Sequence, residues 1–125
     1  MALRLSYGIE SKPASQDIDA NKLVKLDGSD ELTPTTAVGD SVYGVLDKAV
    51  KNGKSASPRR GVVDYVEADE AIDAGDELMP SGNNAGRVLA YTGTAGDNKI
   101  GKALTSADSQ GDLIRIELTA NEQTA

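Results

Sequence analysis

The side chains that most often carry out acid–base catalysis or bind transition metals are missing from this sequence, which contains no His and no Cys. Acid–base chemistry would fall to Asp, Glu, Lys or Tyr, and disulfides and Cys-based zinc sites are excluded. The richest candidates are the carboxylates of one acidic stretch, which could act in pairs or coordinate a hard cation. These are Asp64, Glu67, Asp69, Glu70, Asp73, Asp76 and Glu77. They lack the EF-hand spacing, so we interpret the stretch as a solvated acidic surface.

A Gly-rich loop at 92–98 (TGTAGDN) is the other stretch that could bind a ligand, because such loops can surround a phosphate group. It is followed by neither the P-loop spacing nor the dinucleotide-binding spacing of glycines. We therefore predict that the protein is not an enzyme and that it uses no cofactor and no metal.

Basic residues are concentrated in one part of the chain. Five of the thirteen Lys and Arg residues fall within thirteen positions, namely Lys48, Lys51, Lys54, Arg59 and Arg60, whereas 61–86 holds acidic residues and no basic ones. One interpretation is a solvated basic loop over 54–61. The other is a positive docking surface on an acidic body, which would orient the protein on an acidic partner surface.

The overall composition limits the possible partners. The formal net charge is −7 at pH 7, which argues against direct binding to nucleic acid, because that binding depends on neutralising phosphates with Lys and Arg. No apolar run approaches the length of a signal peptide or a membrane span, so we expect synthesis in the cytoplasm. With 125 residues, no Phe and no Trp, the chain forms one domain with a thin core. Burial against partner subunits would stabilise such a domain.

The strand pattern that would position these residues is clearest near the end of the chain. Two strands are predicted at 100–104 and 113–118, and strict alternation in the second places Ile114, Ile116 and Leu118 on one face. Gly101 indicates a bulge or a close backbone approach in the first strand. Apolar or β-branched runs predict further strands at 22–26, 31–34, 61–66, 77–80 and 87–91, and one that begins within 42–50.

Three segments are harder to assign. At the N-terminus, Leu3, Leu5, Tyr7 and Ile9 alternate with other residues and form one apolar side. This segment either pairs within the chain's own sheet or lies as an arm across a neighbouring subunit. The stretch 67–74 (EADEAIDA) either forms two turns of helix or is an acidic loop, and 119–125 is expected to be a loose tail.

The two halves of the chain resemble each other. Gly39-Asp40 matches Gly96-Asp97 and Gly44 matches Gly101 at a constant offset, and Gly53 matches Gly111 after a one-residue insertion. The fold prediction is therefore all-β: a small barrel or sandwich built from two similar halves, about 19–66 and 73–118, with an extended N-terminal arm. In domain terms, 1–21 is a strand or arm, 22–118 is a single β domain and 119–125 is the tail.

Several motifs carry a family resemblance. They are Ile72-Asp73-Ala74-Gly75-Asp76, Gly86-Arg87-Val88, the run IGKAL at 100–104 and the run GDLIRIEL at 111–118, with similar runs at 43–46 and 61–63. Over about 22–118 the chain resembles the tailed-phage capsid cement, or head decoration, proteins. Lys102 departs from the pattern, because the family usually has a small or apolar residue there.

The resemblance implies a small β-rich structural protein of the virion, located on the outer surface of the capsid. It implies a homotrimer that binds the major capsid protein and stabilises the shell by bridging neighbouring subunits. The site residues are predicted from charge and pattern, since the family has no transferable site motif. They are Lys48, Lys51, Lys54, Arg59 and Arg60 at the capsid interface and Leu3, Leu5, Tyr7 and Ile9 in the arm.

The composition argues against two other functions. A small-ligand or glycan-binding β-barrel module would normally line its pocket with aromatic residues, but the chain has four Tyr and no other aromatic residue. A biotinyl or lipoyl carrier domain would need a Lys beside a Met at an exposed hairpin tip, and Met79 has no such neighbour.

Overall fold

Strands account for all the regular secondary structure in the part of the chain that the computed structural model describes, residues 6–124, where eleven strands and no helix are present. They are β1 (Ser6–Gly8), β2 (Lys12–Pro13), β3 (Leu23–Leu26), β4 (Leu32–Pro34), β5 (Gly44–Val45), β6 (Ser55–Ala56), β7 (Arg59–Glu67), β8 (Glu77–Pro80), β9 (Val88–Ala90), β10 (Asn98–Ala103) and β11 (Leu113–Gln123). Residues 6–124 accordingly contain no helix that could cross a membrane.

Most of the strands form one antiparallel sheet in the order β4-β3-β5-β7-β11-β10-β8-β9. The sheet curls into a half-barrel, and β1 pairs with the beginning of β7. A separate two-stranded ribbon is formed by β2 and β6. The all-β prediction is confirmed.

The pairing of β10 with β11 agrees with the sequence pattern. Ile114, Ile116 and Leu118 are buried, whereas the residues between them are exposed. A register shift lies between Lys99 and Gly101, and a Cβ atom at Gly101 would lie only 1.8 Å from the carbonyl oxygen of Glu117. This position therefore requires glycine, because any side chain would force the two backbones apart.

The side chain of Lys102 faces solvent. In the sheet, Lys102 is paired with Glu117 on one side and with Glu77 on the other. The departure from the family pattern therefore places a cation between two carboxylates on the outer face of the sheet.

The two halves form equivalent backbone hydrogen bonds. Each half pairs a Gly-containing strand with its preceding hairpin, as Val24 with Gly44 and as Leu78 with Gly101. Three further N–H to carbonyl bonds occur in both halves. In the N-terminal half they run from Leu46 to Lys22, from Val50 to Ile18 and from Gly53 to Ala14. Their counterparts in the C-terminal half run from Ala103 to Asp76, from Ala107 to Ile72 and from Gly111 to Ala68. The turns at 51–54 and 109–112 are thus counterparts in a fold built from two similar halves.

The apolar core consists of two clusters of aliphatic residues. The smaller cluster comprises Ala14, Ile18, Val24, Leu32, Leu46 and Val50, with Tyr43 packed at its edge. The larger one contains side chains of β7, β10 and β11 together with Leu23, Ile72 and Leu78.

The acidic stretch after β7 is a loop, so the helical alternative for 67–74 is wrong. The N–H of Ala68 donates to Asp112 and the N–H of Ile72 donates to Ala107, and neither can close a helical turn. The side chains of Ala68 and Ile72 are buried, and their burial determines the path of the loop.

The strand predicted to begin within 42–50 is β5, which is two residues long. β5 ends at Val45, because the chain turns there and the N–H of Leu46 donates to the carbonyl oxygen of Lys22. The basic loop predicted over 54–61 is also corrected, since β6 lies within it and β7 already begins at Arg59.

The C-terminal segment is a strand and not a loose tail up to Gln123. β11 continues past Leu118, and its residues Glu122 and Gln123 pair with Lys99 and Asn98 of β10. The Asn121 carboxamide also bonds the backbone of Val42, which attaches this end of β11 to the N-terminal half.

Candidate docking surface

Two of the five basic side chains line one groove of about 370 Å³ in the N-terminal half. Lys48 and Arg59 line the groove together with the hydroxyl-bearing residues Ser55 and Ser57. Lys51 and Lys54 lie on the adjoining turn and are exposed. We call the surface formed by Lys48, Lys51, Lys54 and Arg59 the basic surface.

The ion pairs on the basic surface are few and exposed. Arg59 Nε lies 3.5 Å from Asp47 Oδ2, and Lys51 Nζ lies 3.7 Å from Asp17 Oδ2. Pairs of this kind contribute at most about 1 kcal/mol each. Within residues 6–124, Lys48 and Lys54 form no ion pair, so their charges are available to a partner.

Arg60 has a different environment from the other four basic residues. Its guanidinium donates hydrogen bonds to the carbonyl oxygens of Val42 (2.9 Å), Tyr43 (3.0 Å) and Thr119 (3.2 Å). It therefore links β7 to the chain just before β5 and to the middle of β11. The structure gives Arg60 a role within the fold, which its position in a run of basic residues did not indicate.

The N-terminal residues were predicted either to join the chain's own sheet or to cross to a neighbour. Ser6–Gly8 pairs with β7 of the same chain, and the N–H of Ile9 donates to the carbonyl oxygen of Pro58. Leu3 and Leu5, the other members of the predicted arm, lie outside the described residues.

Asp69 is the buried residue of the acidic stretch, contrary to the interpretation of a wholly solvated surface. Its side chain is only 2% exposed. Its carboxylate accepts hydrogen bonds from Ser81 Oγ, Asn84 Nδ2 (2.7 Å), Gln110 Nε2 (3.0 Å) and Arg87 Nη1 (3.5 Å). Burial raises the pKa of Asp69, but these hydrogen bonds outweigh that effect and hold the pKa below its ordinary value.

The carboxylate of the neighbouring Glu67 forms ion pairs with two basic side chains. Its Oε1 lies 3.0 Å from both Lys22 Nζ and Arg87 Nε. Within residues 6–124, no three acidic side chains converge in a way that could hold a metal ion. These carboxylates fasten the loop after β7 to the β8–β9 hairpin.

A second exposed surface is apolar and lies on the outer face of the sheet. Tyr65 is 60% exposed, Leu113 48% and Leu104 40%. Tyr65 and Leu113 line one depression together with Asp64 and Arg115, whose charged groups are 3.5 Å apart. We call Tyr65, Leu104 and Leu113 the apolar patch. The sequence pattern did not predict the apolar patch. Leu104 and Leu113 fall within predicted strands, and nothing in the pattern shows that their side chains are exposed.

Comparison with solved structures supports the fold. The chain is similar to the N base of the head fiber protein gp8.5 of bacteriophage phi29, with a TM-score of 0.66 and 19% sequence identity. The similarity covers 94% of this chain and 98% of that chain. No curated protein matches the chain in sequence.

Comparison with protein families identifies the chain. The model of the family described as phage cement protein matches residues 8–118, nearly the whole length. That span includes both halves of the sheet, all five basic residues and the apolar patch. The chain belongs to the phage cement protein family.

Proposed function

We propose that this protein binds the outside of an assembled phage capsid and stabilises it by bridging major capsid subunits through the basic surface. The observation that carries this proposal is the charge distribution. The chain has a net charge of −7, yet Lys48 lines the same groove as Arg59, and neither Lys48 nor the exposed Lys54 forms an ion pair within residues 6–124. Membership of the cement protein family supports the association with a capsid.

The stabilisation follows from mass action. A protein that binds the assembled lattice but not the free subunits shifts the equilibrium toward the lattice. Because a bridging protein must lose several contacts at once before it dissociates, modest contacts are sufficient. The charges of the basic surface orient the approach more than they add affinity.

We further propose that the protein acts as a homotrimer in which the apolar patch lies between copies. Tyr65 and Leu113 line one depression, and Leu104 is exposed just after the end of β10. Large apolar side chains are costly to leave in water, and an interface would bury them. The basic surface and the apolar patch share no residue, so one protein could bind the shell and its own copies together.

The test uses empty capsids purified without this protein. The Lys48→Gln/Lys54→Gln variant removes two positive charges that make no ion pair within residues 6–124. We expect its binding to be weaker by at least about fivefold at low ionic strength, equivalent to about 0.5 kcal/mol or more for each charge. The difference should disappear near 1 M salt, where the Debye length is about 3 Å.

The matched control is Asn83→Glu/Ser106→Glu, which changes the net charge by the same amount at exposed positions away from the basic surface. It should bind like the original chain. Equal weakening in both variants would show that only net charge matters, and undiminished binding of the lysine variant would contradict the basic surface as the docking site.

A further inference from the structure

The groove of the basic surface runs along an unpaired edge of β6. On its other edge, β6 pairs with β2, where Ser55 lies opposite Pro13. In the part of the chain that the structure describes, β2 is the only strand that pairs with β6. Ser55, Ala56 and Ser57 all line the groove. The groove is therefore a place where a further strand could pair with β6.

The backbone groups of Ser55 and Ser57 are directed toward this unpaired edge. Successive residues of an antiparallel strand direct their N–H and C=O groups to opposite edges. The carbonyl oxygens of Lys54 and Pro58 accept N–H groups from the segment 9–14, which adjoins β1 and β2. Ser55 and Ser57 alternate with these two residues, so their own N–H and C=O groups face away from β1 and β2.

The edge is unpaired because β5 is too short to cover it. Arg59 is paired with β1 on one side and with Val45 of β5 on the other. In this register Asp47 would lie opposite Ser57, but β5 ends at Val45. The chain after Val45 turns away and lines the opposite side of the groove. A gap the width of one strand is thus left beside β6.

The side chains around this edge favour an acidic occupant. Lys48 and Arg59 line the groove, and the exposed Lys54 directly precedes β6. Asp47 also lines the groove, but its carboxylate is exposed and lies 3.5 Å from Arg59 Nε. An exposed pair of this kind is weak, so Arg59 can exchange Asp47 for a carboxylate of a partner.

We propose that this groove binds an extended, acidic segment of the capsid subunit, which pairs with Ser55 and Ser57 as an added strand. The proposal rests on the capsid docking proposed above. Main-chain hydrogen bonds supply affinity in this mode of recognition, and side-chain contacts supply specificity. Lys48 and Arg59 contact the acidic side chains of the segment. A short segment is sufficient, because three extended residues span about 10 Å.

Hydrogen exchange of the full chain, free and bound to empty capsids, tests the pairing. We expect the N–H groups of Ser55 and Ser57 to exchange at least about tenfold more slowly in the bound protein, because the added strand accepts them. The N–H of Ala56 faces β2 and is the internal reference, which should be protected in both states.

The outcomes separate this proposal from capsid docking itself. Capsid binding without slower exchange at Ser55 and Ser57 would overturn the added strand and leave the docking intact. Slow exchange of both groups in the free protein would also overturn it, because the edge would then be covered by the chain itself or by a second copy. If the protein did not bind capsids at all, both proposals would fail.

A pair of substitutions at one position gives an independent measure. Ser55→Pro removes the backbone N–H without changing the charge. We expect its binding to empty capsids to be weaker by at least about threefold, the effect of one lost hydrogen bond. The weakening should persist near 1 M salt, where charges are screened.

The matched control is Ser55→Ala, which removes the hydroxyl and keeps the N–H. It should bind like the original chain. Because the N–H of Ser55 faces away from β2, Ser55→Pro should also keep the urea midpoint of the original chain. Equal binding of the two variants would contradict the proposal.

Discussion

At the residue scale, the carboxylate of Asp69 shows how this chain uses a buried charge. Four side chains donate to it, and they come from the β8–β9 hairpin and from the turn before β11. A buried carboxylate is stable only when its hydrogen-bonding capacity is satisfied. The loop after β7 is therefore held in one place by polar contacts as well as by the burial of Ile72.

The ionisation of Asp69 should make stability depend on pH. Its pKa in the folded chain lies below the value of about 3.9 expected in the unfolded chain. The carboxylate thus stabilises the fold above about pH 4, and this contribution is lost as the pH falls below that value toward the folded pKa.

We expect Asp69→Asn to lower the free energy of unfolding at pH 7 by about 1–3 kcal/mol, because the donors lose a charged acceptor. Urea denaturation at pH 7 and pH 3 measures the effect, and the difference from the original chain should shrink at pH 3. Glu70→Gln alters an adjacent but exposed carboxylate and should have almost no effect. If Asp69→Asn lowered the free energy of unfolding equally at pH 7 and pH 3, the shape of the side chain and not its charge would matter at this position.

The limits of sequence reasoning are clearest at this scale. Nothing near Asp69 distinguishes it from Glu70 or Asp73, because its partners lie 12 to 41 positions away. Arg60 is similar: it occurs in a basic run, but two of its acceptors precede it by 17 and 18 residues and the third follows by 59.

At the element scale, the strands were predictable where one face is buried and the other exposed. β11 satisfied this condition up to Leu118, so its first half was correctly predicted. Beyond Leu118 four of the next five residues are polar, and the strand persists because Glu122 and Gln123 pair with β10. Local pattern carries no sign of pairing that depends on a distant strand. The short β5 has the same explanation, since its end is set by the bond from Leu46 to Lys22.

Asn121 should be important for the attachment of β11. Its Oδ1 accepts from the N–H of Val42 (2.7 Å) and from Asn98 Nδ2 (2.9 Å), and its own Nδ2 donates to the carbonyl of Val42 (3.2 Å). We expect Asn121→Ala to lower the free energy of unfolding by about 1–3 kcal/mol, because the Val42 N–H loses its acceptor. Chemical denaturation is the measurement.

Glu122→Ala is the matched control for this residue. It lies next to Asn121 on the same strand but makes only an exposed pair with Lys99, 3.6 Å away. We expect a change below about 0.5 kcal/mol. If the two variants were equally stable, the end of β11 would not depend on the contact with Val42.

At the scale of the whole molecule, the apolar patch determines the expected assembly. Light scattering should give a mass three times the 13.0 kDa of one chain. Tyr65→Asp/Leu113→Asp should shift the population toward monomer, because burying two carboxylates in an interface is unfavourable. Asn83→Glu/Ser106→Glu changes the net charge equally and should stay trimeric. A monomer in the original chain, or an intact trimer in the patch variant, would refute the proposed interface.

The overall architecture was predictable because it repeats. Glycines at equal offsets, such as Gly44 and Gly101, marked strands that lie in corresponding places, and the fold class followed from them. The apolar patch and the path of β1 depend on how the sheet curls, which is a property of all the strands together. Those features required the structure.

The repetition also leaves one of the two corresponding turns without basic residues. The turn at 51–54 carries lysines of the basic surface, whereas its counterpart at 109–112 carries no basic residue. Ser109 and Gln110 are exposed there, but Gln110 donates to the buried Asp69, and the N–H groups of Asp108 and Ser109 both donate to the Asp112 carboxylate. A peptide inserted into this turn would break those bonds and, through Gln110, loosen the loop after β7.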